Sequence, residues 1–236
     1  MIPIRHTLPS ITTPVITRTL VATNAAIFLL QLFLGPQTER LIQTFGFIPA
    51  RLLNPSAWQY APWEVAITLL TSLFLHGGFV HLIGNMIYLW VFGDAVENAF
   101  GHARFFVFYI AFGALGSLAH TVAFSQSPVP SIGASGSIAG ILGAFLVLAP
   151  RARIVTLLPL VVYWAMLEIR AALFLPVWFL MQFFNGFLSL SSARGTQEVA
   201  GVAWWAHVGG FVCGVAVAAA YRAMRKIEAP YVQPLE

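Results

Sequence analysis

Six stretches of this chain, near residues 18–34, 76–96, 103–124, 135–150, 170–190 and 203–224, run with few or no charges through aliphatic and aromatic residues. Crossing the hydrocarbon core of a bilayer takes about 20 such residues in a helix, and only a helix or a closed barrel satisfies its own backbone in lipid. The runs predict an all-α polytopic membrane protein with six transmembrane helices. Charged residues make up 8% of the chain, against roughly 25% in a soluble domain, and this excludes an ordinary soluble fold. The fourth run is short when stopped at Pro150. The apolar stretch from Ile154 to Leu167, interrupted by Pro159, leaves room there for a seventh, partial or interfacial segment. Residues 58–75, with Trp58, Tyr60 and Trp63 ahead of Val65-Ala66-Ile67, are too short before Gly77 to span and read as an interfacial loop element.

The basic residues orient the bundle. With six spans, Arg5, Arg18, Arg104, Arg151, Arg153, Arg170, Arg222, Arg225 and Lys226 fall on one face and Arg40, Arg51 and Arg194 on the other. By the positive-inside rule both termini are cytoplasmic. The expected layout is a tail over 1–17, a membrane core over 18–224 and a tail over 225–236. The first 19 residues hold Pro3, Pro9 and Pro14 and no apolar core run, so the first span is expected to direct insertion. The net charge of +4 comes from scattered residues with no interleaved stacking aromatics, which argues against nucleic acid as a partner. The single cysteine, Cys213, lies in an apolar run and reads as a small packing residue.

Polar side chains inside such runs are costly, and so carry functional weight. Taken alone, the serine of Gly133-Ala134-Ser135-Gly136-Ser137-Ile138 reads as a packing contact between helices. Two further clusters change that reading: His81-Leu82-Ile83-Gly84-Asn85, and Ala206-His207-Val208-Gly209-Gly210 followed by Gly214. The orientation puts His81, Asn85, Ser135 and His207 at similar depths in the outer half of the bilayer. His81 and Asn85 share a helix face, and Gly136 with Gly140 and Gly210 with Gly214 have the spacing that lets two helices approach closely. If the fourth and sixth spans meet through those glycines, Ser135 and His207 come within hydrogen-bond reach as nucleophile and base.

These three motifs resemble the rhomboid family of intramembrane serine proteases. There, a six-span core carries a GxSG serine, an HxxxN pair in the second span and a histidine in the last. Gly93-Asp94-Ala95-Val96-Glu97 is similar to the family's end of the second span, and the resemblance covers nearly the whole chain. It implies Ser135 as nucleophile, His207 as general base, and an oxyanion hole made by the Ser135 backbone N–H with the side chains of His81 and Asn85. Gly133, Gly136 and Gly210 support the site. No carboxylate is expected beside His207, so its orientation falls to packing. Position 139 is alanine where many relatives carry an aromatic against the histidine; Trp204 and Trp205 are candidates to supply that packing, or else interfacial anchors. No cofactor or metal is implied, and HExxH is absent.

The resemblance further implies single-span transmembrane proteins in the lipid bilayer as substrates, cut near the outer face. Entry would involve the fifth span, whose Phe174, Trp178, Met181 and Phe184 either form a bulky face or point to lipid. Ser137, His76 and the turn at Gly77-Gly78 are candidates to line a water-filled cavity, although His76 reads better as an interfacial loop residue, and His6, His102 and His120 as surface or helix-end residues. A bacterial inner membrane is the expected location. The alternatives are an inactive rhomboid-like protein that binds membrane clients, and a small transporter. The first should lack the serine or the histidine. The second should show buried midplane charges or paired broken helices, and neither is evident.

Overall fold

The computed structural model describes residues 2–54, 59–159, 164–192 and 202–225. A short strand, β1 (Ile2–His6), precedes α1 (Val15–Leu34), α2 (Thr38–Phe45), α3 (Pro49–Leu53), α4 (Pro62–Thr71), α5 (Phe79–Phe100), α6 (His102–Ala123) and α7 (Ser135–Leu148). Then come β2 (Arg153–Pro159), β3 (Trp164–Arg170), α8 (Ala171–Ser192) and α9 (Trp204–Arg225). Among the described residues, five segments are long and apolar enough to cross a bilayer: Val15–Phe45, Phe79–Phe100, His102–Ala123, Ala171–Leu190 and Trp204–Met224. The protein is therefore a helical membrane bundle. At 14 residues α7 is shorter, about 21 Å by helix rise. All its residues from Gly136 to Phe145 are buried, and α5, α6, α8 and α9 pack around it.

Small residues bring α7 and α9 into backbone contact. A Cβ built on Gly210 would stand 2.1 Å from the Gly136 carbonyl oxygen, and one on Gly214 only 1.9 Å from that of Gly140. The spacing read from the sequence is thus used as a close helix crossing. The start of α1 has no capping side chain of its own. Glu97, fully buried near the end of α5, accepts the N–H of Ile16 at 2.8 Å and both the N–H and hydroxyl of Thr17 at 2.7 Å. A carboxylate from a neighbouring helix satisfies the orphan donors at the positive end of α1.

Several expectations are corrected by the structure. Within the apolar stretch from Ile154 to Leu167, the described residues 154–159 and 164–167 are strand and not helix; β2 pairs antiparallel with β3 in register Arg153↔Arg170 through Pro159↔Trp164. The β-branched run Ile154-Val155-Thr156, fully buried or nearly so, suits a strand covered on both faces. Residues 1–17 are not simply a tail: β1 adds to β2 to complete a sheet of order β1-β2-β3, and α1 starts at Val15. His6 is not a surface residue, because its Nε2–H donates to Asp94 of α5 at 2.8 Å while its Nδ1 accepts from the Leu8 N–H. His120 is a helix-end residue as expected, in the last turn of α6, but it is buried at 1% exposure and not on the surface. The element expected over 58–75 is helical, as α4 and a 3₁₀ turn over Ser72–Phe74; Trp58 lies outside the described residues, as do Arg194 and the tail beyond Arg225.

Candidate active site

Ser135 is the first residue of α7, and the chain reaches it through Gly133, whose φ of +119° is a conformation that favours glycine. The Gly133 N–H donates to the Ser72 carbonyl at 2.9 Å, which pins the turn. A Cβ at Gly133 would lie 2.6 Å from His81 Nε2 and 3.5 Å from Asn85 Nδ2. That glycine is required twice: for its backbone angle and for the room it leaves to the two side chains of α5.

His207, one turn into α9, is 9% exposed. Its Nε2 lies 2.7 Å from Ser135 Oγ, and its Nδ1 lies 2.9 Å from Oε1 of Gln182 on α8. The orientation of that amide is fixed independently, because Gln182 Nε2 donates to the Trp178 carbonyl at 3.3 Å. With its oxygen facing the imidazole, Gln182 accepts from Nδ1–H and leaves Nε2 as the acceptor for the serine hydroxyl. A neutral amide occupies the position where soluble serine proteases place a carboxylate. Trp178 packs tilted on the ring at 6.2 Å between centroids, and Trp204 meets it edge-on at 5.9 Å. Position 139 contributes nothing to this support: Ala139 is fully buried beside Gly210. Trp205 turns away, donating from Nε1 to the Gly186 carbonyl.

The α5 side chains are also held from behind. The Gly77 N–H donates to His81 Nδ1 at 3.4 Å, which puts the His81 proton on Nε2, the atom nearest Gly133. Asn85 Nδ2 donates to His76 Nε2 at 3.0 Å. His76 stands in the connection ahead of α5, where burial first, and then the neighbouring His81, lowers its pKa to about 4. It is neutral at pH 7 and able to accept that bond. Both backbone groups of His76 are gripped by the buried amide of Gln31 on α1, N–H to Oε1 and carbonyl to Nε2, each at 3.0 Å. His76 is thus a loop histidine as expected, but a buried one, at 1% exposure. Its clamp sits at the head of α5, so burying the ring costs no free backbone group.

A cavity of about 730 Å³ opens over these groups, bordered by Ser135, His207, His81, Asn85, Gly77, Gly78, Tyr88 and Gln182. Neither Ser137 nor His76 lines it: Ser137 is fully buried, turned toward Gly113. Of the proposed α8 face, Phe174 is buried and Trp178 packs inward against Tyr88 and His207, whereas Met181 and Phe184 are more than half exposed. The structure thus gathers the serine, both histidines and the asparagine picked out by sequence around one cavity. It adds Gln182 and Gln31, which the motif reading missed, and places His76 behind Asn85 and not in the cavity lining. Their signal was present, since each is a polar side chain at the edge or interior of an apolar run.

A family model described as Rhomboid domain matches residues 63–224. Among curated proteins, the chain is 40% identical over 122 residues to the rhomboid protease GluP of Bacillus subtilis, covering 52% of this chain and 22% of that protein. It is 36% identical over 115 residues to RHOMBOID-like protein 5 of Arabidopsis thaliana, covering 49% and 34% respectively. Against the mitochondrial RHOMBOID-like protein 6 of the same plant it is 30% identical over 156 residues, covering 56% and 50%. The chain thus spans at most half the length of each of these relatives.

Proposed function

The chain belongs to the rhomboid family, and on that premise we propose that it is an intramembrane serine endopeptidase working through a Ser135–His207 dyad. The observation that carries the reading is the continuous hydrogen-bonded line from Gln182 Oε1 through the imidazole of His207 to Ser135 Oγ, with both bonds under 3 Å. Such a line is what a hydroxyl needs to become a nucleophile within a bilayer.

In the proposed reaction, Ser135 Oγ attacks the scissile carbonyl carbon while His207 Nε2 takes its proton. The imidazolium formed is stabilised by the Gln182 oxygen on Nδ1–H. The oxyanion of the tetrahedral intermediate accepts from the Ser135 backbone N–H, free at the start of α7, and from the side chains of Asn85 and His81. The C–N bond then breaks, and His207 returns its proton to the leaving amine. Water entering the 730 Å³ cavity attacks the acyl-enzyme by the same route, delivering its proton to Nε2 and releasing a carboxylic acid and Ser135. His76 and Gln31 act as positioning residues, the first for the Asn85 amide and the second for the backbone that leads into α5.

The substrates in this reading are single-span membrane proteins cut near the outer end of their helix, where the backbone unwinds to expose a carbonyl. The membrane core runs over about 18–224, both termini lie in the cytoplasm of a bacterial cell, and the cavity opens to the opposite side. The test is cleavage of a tagged single-span reporter by purified protein in liposomes. Wild type should cleave, and Ser135→Ala and His207→Ala should not. A folded wild type that leaves every reporter intact, and whose Ser135 resists fluorophosphonate labelling, would refute the assignment and favour client binding.

A further inference from the structure

On the flank of the bundle, away from the catalytic cavity, β1, α1 and α5 enclose a groove of about 400 Å³. Its walls are Ile2, Pro3 and Ile4 from β1, Val21 from α1, and Leu82, Ile83, Met86, Ile87, Trp90 and Val91 from α5. Every one of these side chains is apolar. Ile83 and Trp90 are more than half exposed and Ile4 nearly so. Because α1 and α5 are both long enough to span, the groove faces the hydrocarbon of the bilayer, and its occupant is a component of the membrane.

Size and hydrogen bonding select among those components. A helix about 10 Å across would fill on the order of 1,000 Å³ over the ~14 Å between Leu82 and Val91, more than twice the room present. An extended peptide needs a strand edge with which to pair. The β1 edge is blunted, because Pro3 has no N–H and the pairing with β2 jumps from Pro3↔Thr156 to Arg5↔Val155, leaving Ile4 in a bulge. A single hydrocarbon chain needs neither the width nor the hydrogen bonds. Charge then distinguishes among lipids. Arg18 lies three residues before Val21 on the same side of α1, and Arg5 follows Ile4. Both are exposed, and among the described residues neither makes an ion pair. They stand near the Glu97 end of the bundle, where a headgroup would sit above a chain lying in the groove.

We infer that this groove binds one acyl chain of an anionic phospholipid, whose phosphate is met by Arg5 and Arg18 at the leaflet remote from Ser135. The inference is independent of proteolysis. The test is native mass spectrometry of the full chain, delipidated and then titrated with phosphatidylglycerol or phosphatidylcholine of the same acyl composition. Wild type should retain one phosphatidylglycerol per chain, roughly fivefold more readily per arginine engaged than phosphatidylcholine. Ile83→Trp, which fills the groove from its exposed rim, and Val21→Phe, which fills it from a half-buried wall, should abolish retention of both lipids. Arg5→Gln with Arg18→Gln should hold both lipids equally. Helicity and melting temperature would establish that each variant is folded. Equal retention of the two lipids by wild type, or unchanged retention in both folded groove-filled variants, would overturn the assignment.

Discussion

Replacing Gln182 with leucine probes the site at its least conventional member. The side chain is 7% exposed and His207 9%, so water does not readily replace the lost acceptor. In the resting enzyme the Nδ1–H of His207 would be buried and unpaired, at a cost of about 1–3 kcal/mol. The ring can escape that cost by moving its proton to Nε2, which faces Ser135 and can then no longer take the hydroxyl proton. In the transition state the ring is charged, and a hydrogen bond to a charged donor is about twice as strong as a neutral one. Both effects act on acylation, and together they amount to about 2–3 kcal/mol, or roughly 30- to 150-fold in kcat. The assay is initial-rate cleavage of a single-span reporter in liposomes, together with the second-order rate of fluorophosphonate labelling at Ser135. Both should fall by the same factor, with KM unchanged, because Gln182 acts on the imidazole and not on reporter binding. Gln182→Glu, which retains an acceptor, should recover most of the loss. If folded Gln182→Leu cleaves within threefold of wild type, the amide does not orient His207, and Trp178 and Trp204 hold the ring alone.

Gly133→Ala should lower activity by at least 10²-fold, because its methyl would press on His81 Nε2 and Asn85 at a φ of +119°; a variant within tenfold of wild type in the reporter assay would remove Gly133 from the site. Gly214→Val should destabilise the bundle by about 1–3 kcal/mol or more by forcing α9 off the Gly140 carbonyl, read as a lower melting temperature in detergent. Glu97→Ala uncaps α1 and leaves buried donors unpaired, so a loss of about 2–4 kcal/mol is expected in reversible unfolding. For His76 the sign follows from its pKa of about 4, below the ordinary 6.5. The unfolded ring takes up a proton first as pH falls, so the stability this residue contributes is complete above pH 6.5 and lost progressively toward pH 4, by at most about 3 kcal/mol. His76→Gln should flatten that part of the stability profile, and parallel profiles for the two proteins would count against a neutral His76.

The parts of the fold that sequence made readable are those governed by local rules. Apolar runs of spanning length fixed the helices, and the four-residue glycine spacings in α7 and α9 anticipated the crossing that brings Ser135 to His207. The sheet was hidden because lipid-facing and core-facing residues are both apolar. Ile154–Leu167 therefore carries no polar alternation to separate a strand from a buried helix. Nor does a five-residue strand announce a partner some 150 residues away. Gln182 escaped for a different reason: an amide on α8 acquires its role only when that helix lies beside α9, and spacing within one span says nothing of the next. His76 was misjudged because flanking glycines suggest exposure, whereas the clamp by Gln31 depends on α1 standing behind the loop.

The pairing of Ile2–His6 with Ile154–Leu157 imposes an order of assembly. At about 5–20 residues per second, a ribosome needs roughly 10–30 s to proceed from the first strand to the second. During that interval α1 and α5 are already made, and Glu97 can dock the one against the other. The leading strand meanwhile has the His6–Asp94 bond and its packing beside α5 to rest on, but no strand to pair with. Closure of the sheet is therefore a late event in biogenesis, sealed when β2 and β3 emerge, and a strand made before any of the helices described is among the last segments to reach its final neighbours.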